Sequence, residues 1–173
     1  LAAFRLAGVE VHYVVYDIIP LRQPQFTVAG IRQAFEQWLH GLRRHADGLM
    51  CISAAVARDV ADWLHEHAPD APSPLIGHFH LGADLEQSSP THGLPADADA
   101  TLAMLDAAVS FLMVGTLEPR KGHVQTLDAF ERLWADGQTC HLVLVGKQGW
   151  HMDDFARRLR EHPQAGVRLH WLE

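Results

Sequence analysis

VGTLEPRKGH, residues 114–123, joins a short apolar run to a segment with helical spacing, and the join is basic. The run before it, residues 109–114, is apolar and β-branched enough to read as a buried strand. After it, Val124, Leu127, Phe130 and Trp134 recur three and four apart and share one face of a helix. A helix N-terminus carries about half a positive charge and several unpaired N–H groups, so it favours acidic residues in its first turn. Here stand Arg120 and Lys121. Two cations at that place are unfavourable unless an anion lies between them, and Gly122 would let the anion approach the backbone closely. A phosphate group fits that demand. The alternative is a solvated basic turn with both side chains in water, which costs little.

Working outward, the next apolar run, residues 141–145, ends in VGKQGW, residues 145–150. This second glycine-containing turn follows a strand at the same sheet end where ligands bind in open α/β folds. Gly146 and Gly149 would let the backbone approach a nucleotide, but glycines that end a strand are more often turn formers, and the segment is neither a Walker motif nor a GxGxxG fingerprint. From residue 109 the pattern reads strand, helix (123–135), strand (141–145), helix (152–160), strand (167–171), half of a doubly wound nucleotide-binding sheet.

Upstream lies a comparable series. Residues 9–19, VEVHYVVYDII, read as a strand buried on both faces. Val28, Ile31, Phe35, Trp38, Leu39 and Leu42 line one side of a helix ending near His45. Residues 49–52 form a short strand, Ser53 caps a following helix that buries Val56, Val60, Trp63 and Leu64, and Pro69, Pro72 and Pro74 stop it before a strand at 75–79. Between residues 82 and 100 the composition turns to Ser, Pro, Gly, Asp and Thr without any period, which marks a linker, with a short helix around residues 102–108. The chain therefore divides into residues 1–85, the later part of one domain, a hinge at 86–108, and residues 109–173, the first half of another.

Composition bounds the function classes. The 173 residues are 48% hydrophobic and 20% charged with a net charge of -7, the profile of a folded globular chain. No run approaches the roughly 20 apolar residues of a membrane-spanning helix. The scattered basic residues make no face for a nucleic-acid backbone, so no nucleic-acid partner is expected. Cys51 and Cys140 sit inside apolar runs, which argues against a disulfide framework and for a reducing cytoplasm.

Read together, YDIIPL (16–21), ADGLMCIS (46–53), HLGADL (80–85), VGTLEPRKG with its AF-containing helix, and LVLVGKQGW resemble the retaining glycosyltransferases of family 4. The likeness covers nearly the whole chain and is greatest to mannosyltransferase-type members that build bacterial surface polysaccharides. It implies an α/β fold of GT-B type, with parts of two Rossmann-like domains that have parallel sheets. It also implies a nucleoside-diphosphate sugar as donor substrate, with no separate cofactor and no catalytic metal. The acceptor would be a glycan or lipid-linked glycan. The location implied is cytoplasmic, with a peripheral place at the inner membrane open to the intact protein. Residue by residue, Arg120 and Lys121 match the basic pair that holds the donor diphosphate, and Gly115, Thr116, Gly146 and Lys147 match the loops around it. Thr116 stands where many relatives have Arg, and Tyr16 where many have His. The family's acidic motif would lie beyond Glu173 and its first glycine-rich loop before Leu1, so the 173 residues by themselves are expected to be silent in transfer and to self-associate through uncovered strand edges.

Asp17 has two readings: a group facing sugar or acceptor, placed with Arg120 and Lys121 among the catalytic candidates, or a cap on the next turn. The 13 histidines, with His65/His67 and His78/His80 spaced two apart, bring no Cys or carboxylate cluster with them, and no metal site is expected. Trp38, Trp63, Phe130 and Trp134 read as core. Two further function classes share the phosphate-binding turn: a sugar-nucleotide epimerase of GT-B-like architecture, and a noncatalytic nucleotide-binding module.

Overall fold

A computed structural model of the chain describes residues 2–83, 96–106 and 108–173. The chain divides into two compact units, residues 1–88 and 89–173.

In the first unit, helix α1 (Ala2–Leu6) precedes strand β1 (His12–Val15), the short helix α2 (Ile19–Arg22) and a 3₁₀ turn (Pro24–Phe26). Helix α3 (Ile31–His45), strand β2 (Gly48–Cys51), helix α4 (Ala54–His67) and strand β3 (Leu75–His78) follow. The three strands pair in parallel in the order β1-β2-β3, so every strand-to-strand connection needs a crossover. The apolar faces of α3 and α4 supply the cover, with Leu39, Leu42, Val60, Trp63 and Leu64 buried against Val15, Leu49 and Cys51. Ser53 caps α4 as its position demanded: its hydroxyl accepts the Val56 N–H at 3.2 Å. Helix α3 starts later than its apolar spacing suggests. Gly30, with φ at +85°, breaks the chain ahead of it, and Val28 and Ile31 are exposed.

β1 is not buried on both faces. Only Val15 is buried, whereas His12 and Val14 face outward, because β1 lies at the edge of the described sheet and β2 takes the centre. His67 stacks on Trp63 and its Nδ1 lies 2.8 Å from the Trp63 carbonyl. Among the described residues no three His, Cys, Asp or Glu side chains gather as a metal would require.

Residues 84–95 of the stretch read as linker, including the last two of HLGADL, lie outside the described residues. Residues 98–106 of the stretch read as hinge form helix α5 (Ala98–Asp106), earlier than the short helix expected at 102–108. The second unit continues with strand β4 (Ser110–Val114), a 3₁₀ turn (Pro119–Lys121), helix α6 (His123–Ala135), strand β5 (His141–Val145), helix α7 (Asp153–Glu161) and strand β6 (Leu169–Leu172). Its strands are also parallel, in the order β4-β5-β6. Both units are thus α/β with a three-stranded parallel sheet. No described helix is long and apolar enough to cross a membrane.

In this unit β5 is buried at its three central positions, and Leu127, Phe130, Trp134, Phe155 and Leu159 close over it from α6 and α7. β4, read as a buried strand, is not one: Leu112 is 65% and Val114 70% exposed. Its apolar composition is that of an interior strand, but it stands at the edge of the described sheet, with no neighbour beyond it. Cys51 and Cys140 lie in different units and neither is bonded.

Helices α6 and α7 are also tied by charge. Arg158 Nη2 donates to Asp128 Oδ1 at 2.6 Å and to Glu131 Oε2 at 2.8 Å, while His162 Nε2 lies 3.0 Å from Glu131 Oε1. The Arg158 hydrogen bond holds the Glu131 carboxyl below its ordinary range, against partial burial, with help from His162. A depressed carboxyl pKa contributes stability above its unfolded value and loses it as pH falls through the folded value. The groups are partly solvated, so the contribution is small. Arg158→Met, which keeps the apolar stem, should cost about 0.5–1 kcal/mol at pH 7. In urea melts that cost should shrink as the pH falls below the ordinary Glu range; an equal cost at both ends would assign it to packing.

Candidate functional site

The site forms where two turns leave the carboxyl ends of β4 and β5. Leu117 anchors the first turn. Its side chain is fully buried in the core of the second unit, worth about 1.5–3 kcal/mol. Its backbone continues the parallel ladder beyond the strands: the Leu117 N–H donates to the Lys147 carbonyl at 2.9 Å, and the Gly149 N–H donates to the Leu117 carbonyl at 3.0 Å. From the last strand, the Trp171 indole N–H donates to the Gly146 carbonyl at 2.8 Å and fixes the second turn from behind.

This clasp explains the glycines. A Cβ on Gly146 would stand 2.3 Å from the Gly115 carbonyl oxygen, and one on Gly149 would stand 2.4 Å from the Leu117 carbonyl oxygen. Gly146 (φ +149°) and Gly149 therefore serve the approach of one turn to the other, a role that their reading as turn formers or backbone openings for a nucleotide did not include. At Gly115 (φ +145°) the neighbour is a side chain. A Cβ there would meet the Lys121 ammonium at 3.1 Å, so Lys121 reaches back over the Gly115 backbone.

The cations stand one step earlier than the sequence suggested. Arg120 and Lys121 belong to the 3₁₀ turn, and Gly122, left-handed at φ +76°, separates them from α6, which begins at His123. They flank the helix N-terminus and are not in its first turn. That N-terminus has neither a side-chain cap nor an acidic residue in its first turn, so its donors are available to an anion.

Arg120 also has a partner within the chain. Its Nε lies 2.9 Å from Glu118 Oε2, with the Glu118 side chain 8% exposed and that of Arg120 37%. The contact is ionic but its direction does not make a hydrogen bond, so Oε2 remains without a donor. An external anion is thus not the sole means of balancing Arg120, as the charge pattern alone had suggested. Among the described residues no carboxylate pairs with Lys121. Near Glu118 lies His123, 1% exposed. Burial lowers its pKa and the Lys121 charge adds to this, while the neighbouring Glu118 offsets part of it.

Gly115, Thr116, Arg120, Lys121, Gly146 and Lys147 therefore come together on one clasp at one end of the second sheet. Thr116 is part of the join, its methyl group against the Gly149 position, and Lys147 is exposed on the outer side. Asp17 belongs to the first unit, exposed just after β1, where its Oδ1 accepts the Ile19 N–H at 3.0 Å. Of its two readings, the turn cap is the one its hydrogen bond supports. Glu118, His123 and Trp171 escaped the sequence reading. Glu118 lay in plain view two residues before Arg120, but no periodicity reveals that its carboxylate is buried.

The chain is 51% identical over 172 residues to a serotype-specific mannosyltransferase, WbdA, of Escherichia coli, a match that takes in 98% of this chain and 21% of the relative. Two further Escherichia coli sequences of the same name are 50% identical over 174 residues, 99% of this chain and 21% of theirs. The chain thus spans a small part of the length of these curated relatives. No family model and no solved structure matches it.

The clasp makes a quantitative demand. Gly137 and Gly146 both have positive φ, but a Cβ on Gly137 meets nothing within 4 Å. Gly137→Ala should therefore cost about 1 kcal/mol of backbone strain, and Gly146→Ala about 3 kcal/mol from strain and overpacking together. Equal losses of unfolding free energy in denaturant titrations would mean that the two turns are not held in contact.

Proposed function

We propose that the chain is part of a retaining glycosyltransferase of GT-B type. In the intact protein it would move a sugar, mannose in our reading, from a nucleoside diphosphate to a hydroxyl of a glycan or lipid-linked glycan. The observation that carries this proposal is the cation pair Arg120 and Lys121 on a rigid clasp, beside an uncapped helix N-terminus and at the carboxyl end of a parallel sheet. That end is where open α/β sheets bind their ligands. The likeness to the mannosyltransferases supports the class of reaction and favours it over an epimerase or a noncatalytic binding module.

The chemistry follows from charge. As the glycosidic bond to the donor breaks, negative charge grows on the departing diphosphate, and fixed cations and N–H groups stabilise it without reorganising. Arg120 offers a planar fork and Lys121 a compact point charge. Gly115 leaves room for the Lys121 side chain, and the first N–H groups of α6 add a third source of positive potential. Thr116, Gly146 and Lys147 complete the two turns around the diphosphate. Asp17, with one carboxylate oxygen engaged by Ile19, keeps the other for a hydroxyl of sugar or acceptor. The reaction in this reading uses no cofactor beyond the donor. The intact protein would work in the cytoplasm or at the inner face of the membrane. The exposed apolar strand β4 would make the 173 residues by themselves associate, which light scattering would detect and a concentrated monodisperse monomer would contradict.

Changing Arg120 or Lys121 to Ala in the intact protein should weaken nucleoside diphosphate binding by about 1.5–3 kcal/mol, the range for hydrogen bonds to charged groups. Arg120→Lys should also lose affinity, because the fork is gone while the charge stays. Turnover should fall more than binding, since the diphosphate carries most charge after cleavage begins. Calorimetry with a panel of nucleoside diphosphates, alongside donor kinetics with product analysis, checks this. Release of nucleoside diphosphate in step with a new glycosidic bond of the donor's anomeric configuration is the expected result. Unchanged binding and turnover in both Ala variants would reduce the pair to a solvated turn.

A further inference from the structure

We infer that Glu118 is a positioning residue for Arg120: it holds the guanidinium by Nε and leaves the Nη1 and Nη2 fork for the anion. The inference rests on the reading of Arg120 as a diphosphate ligand and adds a residue to it.

Three observations carry it. Glu118 is 6% exposed, and a carboxylate so buried needs a cationic partner. Among the described residues that partner is Arg120 alone, through Nε at 2.9 Å, and among them no group engages its Nη1 or Nη2. His123, a titratable neighbour, is shifted towards its neutral form chiefly by burial, with Lys121 adding to the shift and the Glu118 carbonyl and carboxylate offsetting part of it, so burial works against its serving as the counter-charge. Glu118 therefore keeps a cationic partner only while Arg120 stays in place.

A carboxylate beside a ligand-binding arginine can either compete with the ligand or orient the arginine, and burial decides between these here. If Arg120 left Glu118 to meet an anion, it would strand a buried, unpaired carboxylate, which is among the most unfavourable single changes a folded protein can suffer. Keeping the ionic contact at Nε and offering the fork avoids that cost, since Nη1 and Nη2 carry four of the five guanidinium donors and the contact lies at the other nitrogen. The local backbone favours the same outcome. Glu118 is extended (φ -137°, ψ 148°), Pro119 fixes the next φ, and the Glu118 carbonyl accepts the Lys121 N–H at 3.0 Å. Carboxylate and arginine thus stand on one stiff turn, with the guanidinium already oriented before an anion arrives.

The test is a double-mutant cycle in the intact protein, with calorimetric binding of a nucleoside diphosphate and donor kinetics for wild type, Arg120→Ala, Glu118→Gln and the double variant. Glu118→Gln should weaken binding about tenfold when Arg120 is present, the lower end of what loss of an outer partner costs at a metal site, and should add nothing when Arg120 is absent. kcat should fall by at least the same factor as binding. An equal loss in both backgrounds would overturn the inference, because Glu118 would then act through the fold and not through Arg120. Tighter binding in Glu118→Gln would also overturn it, by showing a competing carboxylate. If Arg120→Ala alone changes nothing, the diphosphate reading itself fails, and that result is distinct from either of the others. Should Glu118→Gln not fold, Glu118→Asp keeps the charge, shortens the reach and serves the same cycle.

Discussion

The approach of two backbone turns at the ends of β4 and β5 is the constraint from which the site follows. Gly146 lies so close to the Gly115 carbonyl that no side chain fits between them, and Gly149 stands in the same relation to Leu117. Given that contact, the Leu117 N–H and carbonyl meet their partners on the second turn and its side chain reaches the core. Given Leu117, the residues on either side have little freedom. Gly115 carries Lys121 on one side, and Glu118 with the 3₁₀ turn follows on the other. The turn that carries the two cations is thus placed by packing and backbone pairing, which hold it against their mutual repulsion.

Burial then decides how the charges behave. Exposed ion pairs contribute little, so an Arg–Glu contact in water would carry no weight. This one sinks the carboxylate while leaving the guanidinium partly in solvent, an asymmetry that fixes the acid and leaves the base able to act outward. His123 beside it is buried at the start of α6, and burial favours its neutral form.

Much of the fold was legible in the sequence because the spacing of apolar residues is a direct print of helix geometry. α6 and β5 begin and end where the pattern placed them, and the Ser53 cap was visible as a residue type at a boundary. The burial of β1 and β4 was not legible: apolar composition announces a strand but not whether another strand lies beside it. The site was half visible. Arg120 and Lys121 stood out as cations near a helix start, yet the sequence could not show that Gly122 ends a separate turn first. Nor could it show that Glu118 is buried against Arg120, since that depends on Leu117 turning inward beside it. Gly146 and Gly149 read from the sequence chiefly as turn formers, and they are the surfaces along which the two turns touch.

The central claim is that this clasp is an anion seat. It is tested most directly by a crystal structure of the intact protein with a bound nucleoside diphosphate. Phosphate oxygens are expected within about 3 Å of the Arg120 fork and the Lys121 ammonium, before the first N–H groups of α6, with the Glu118 contact to Nε intact. A diphosphate bound elsewhere, with Arg120 and Lys121 both turned to solvent, would contradict it.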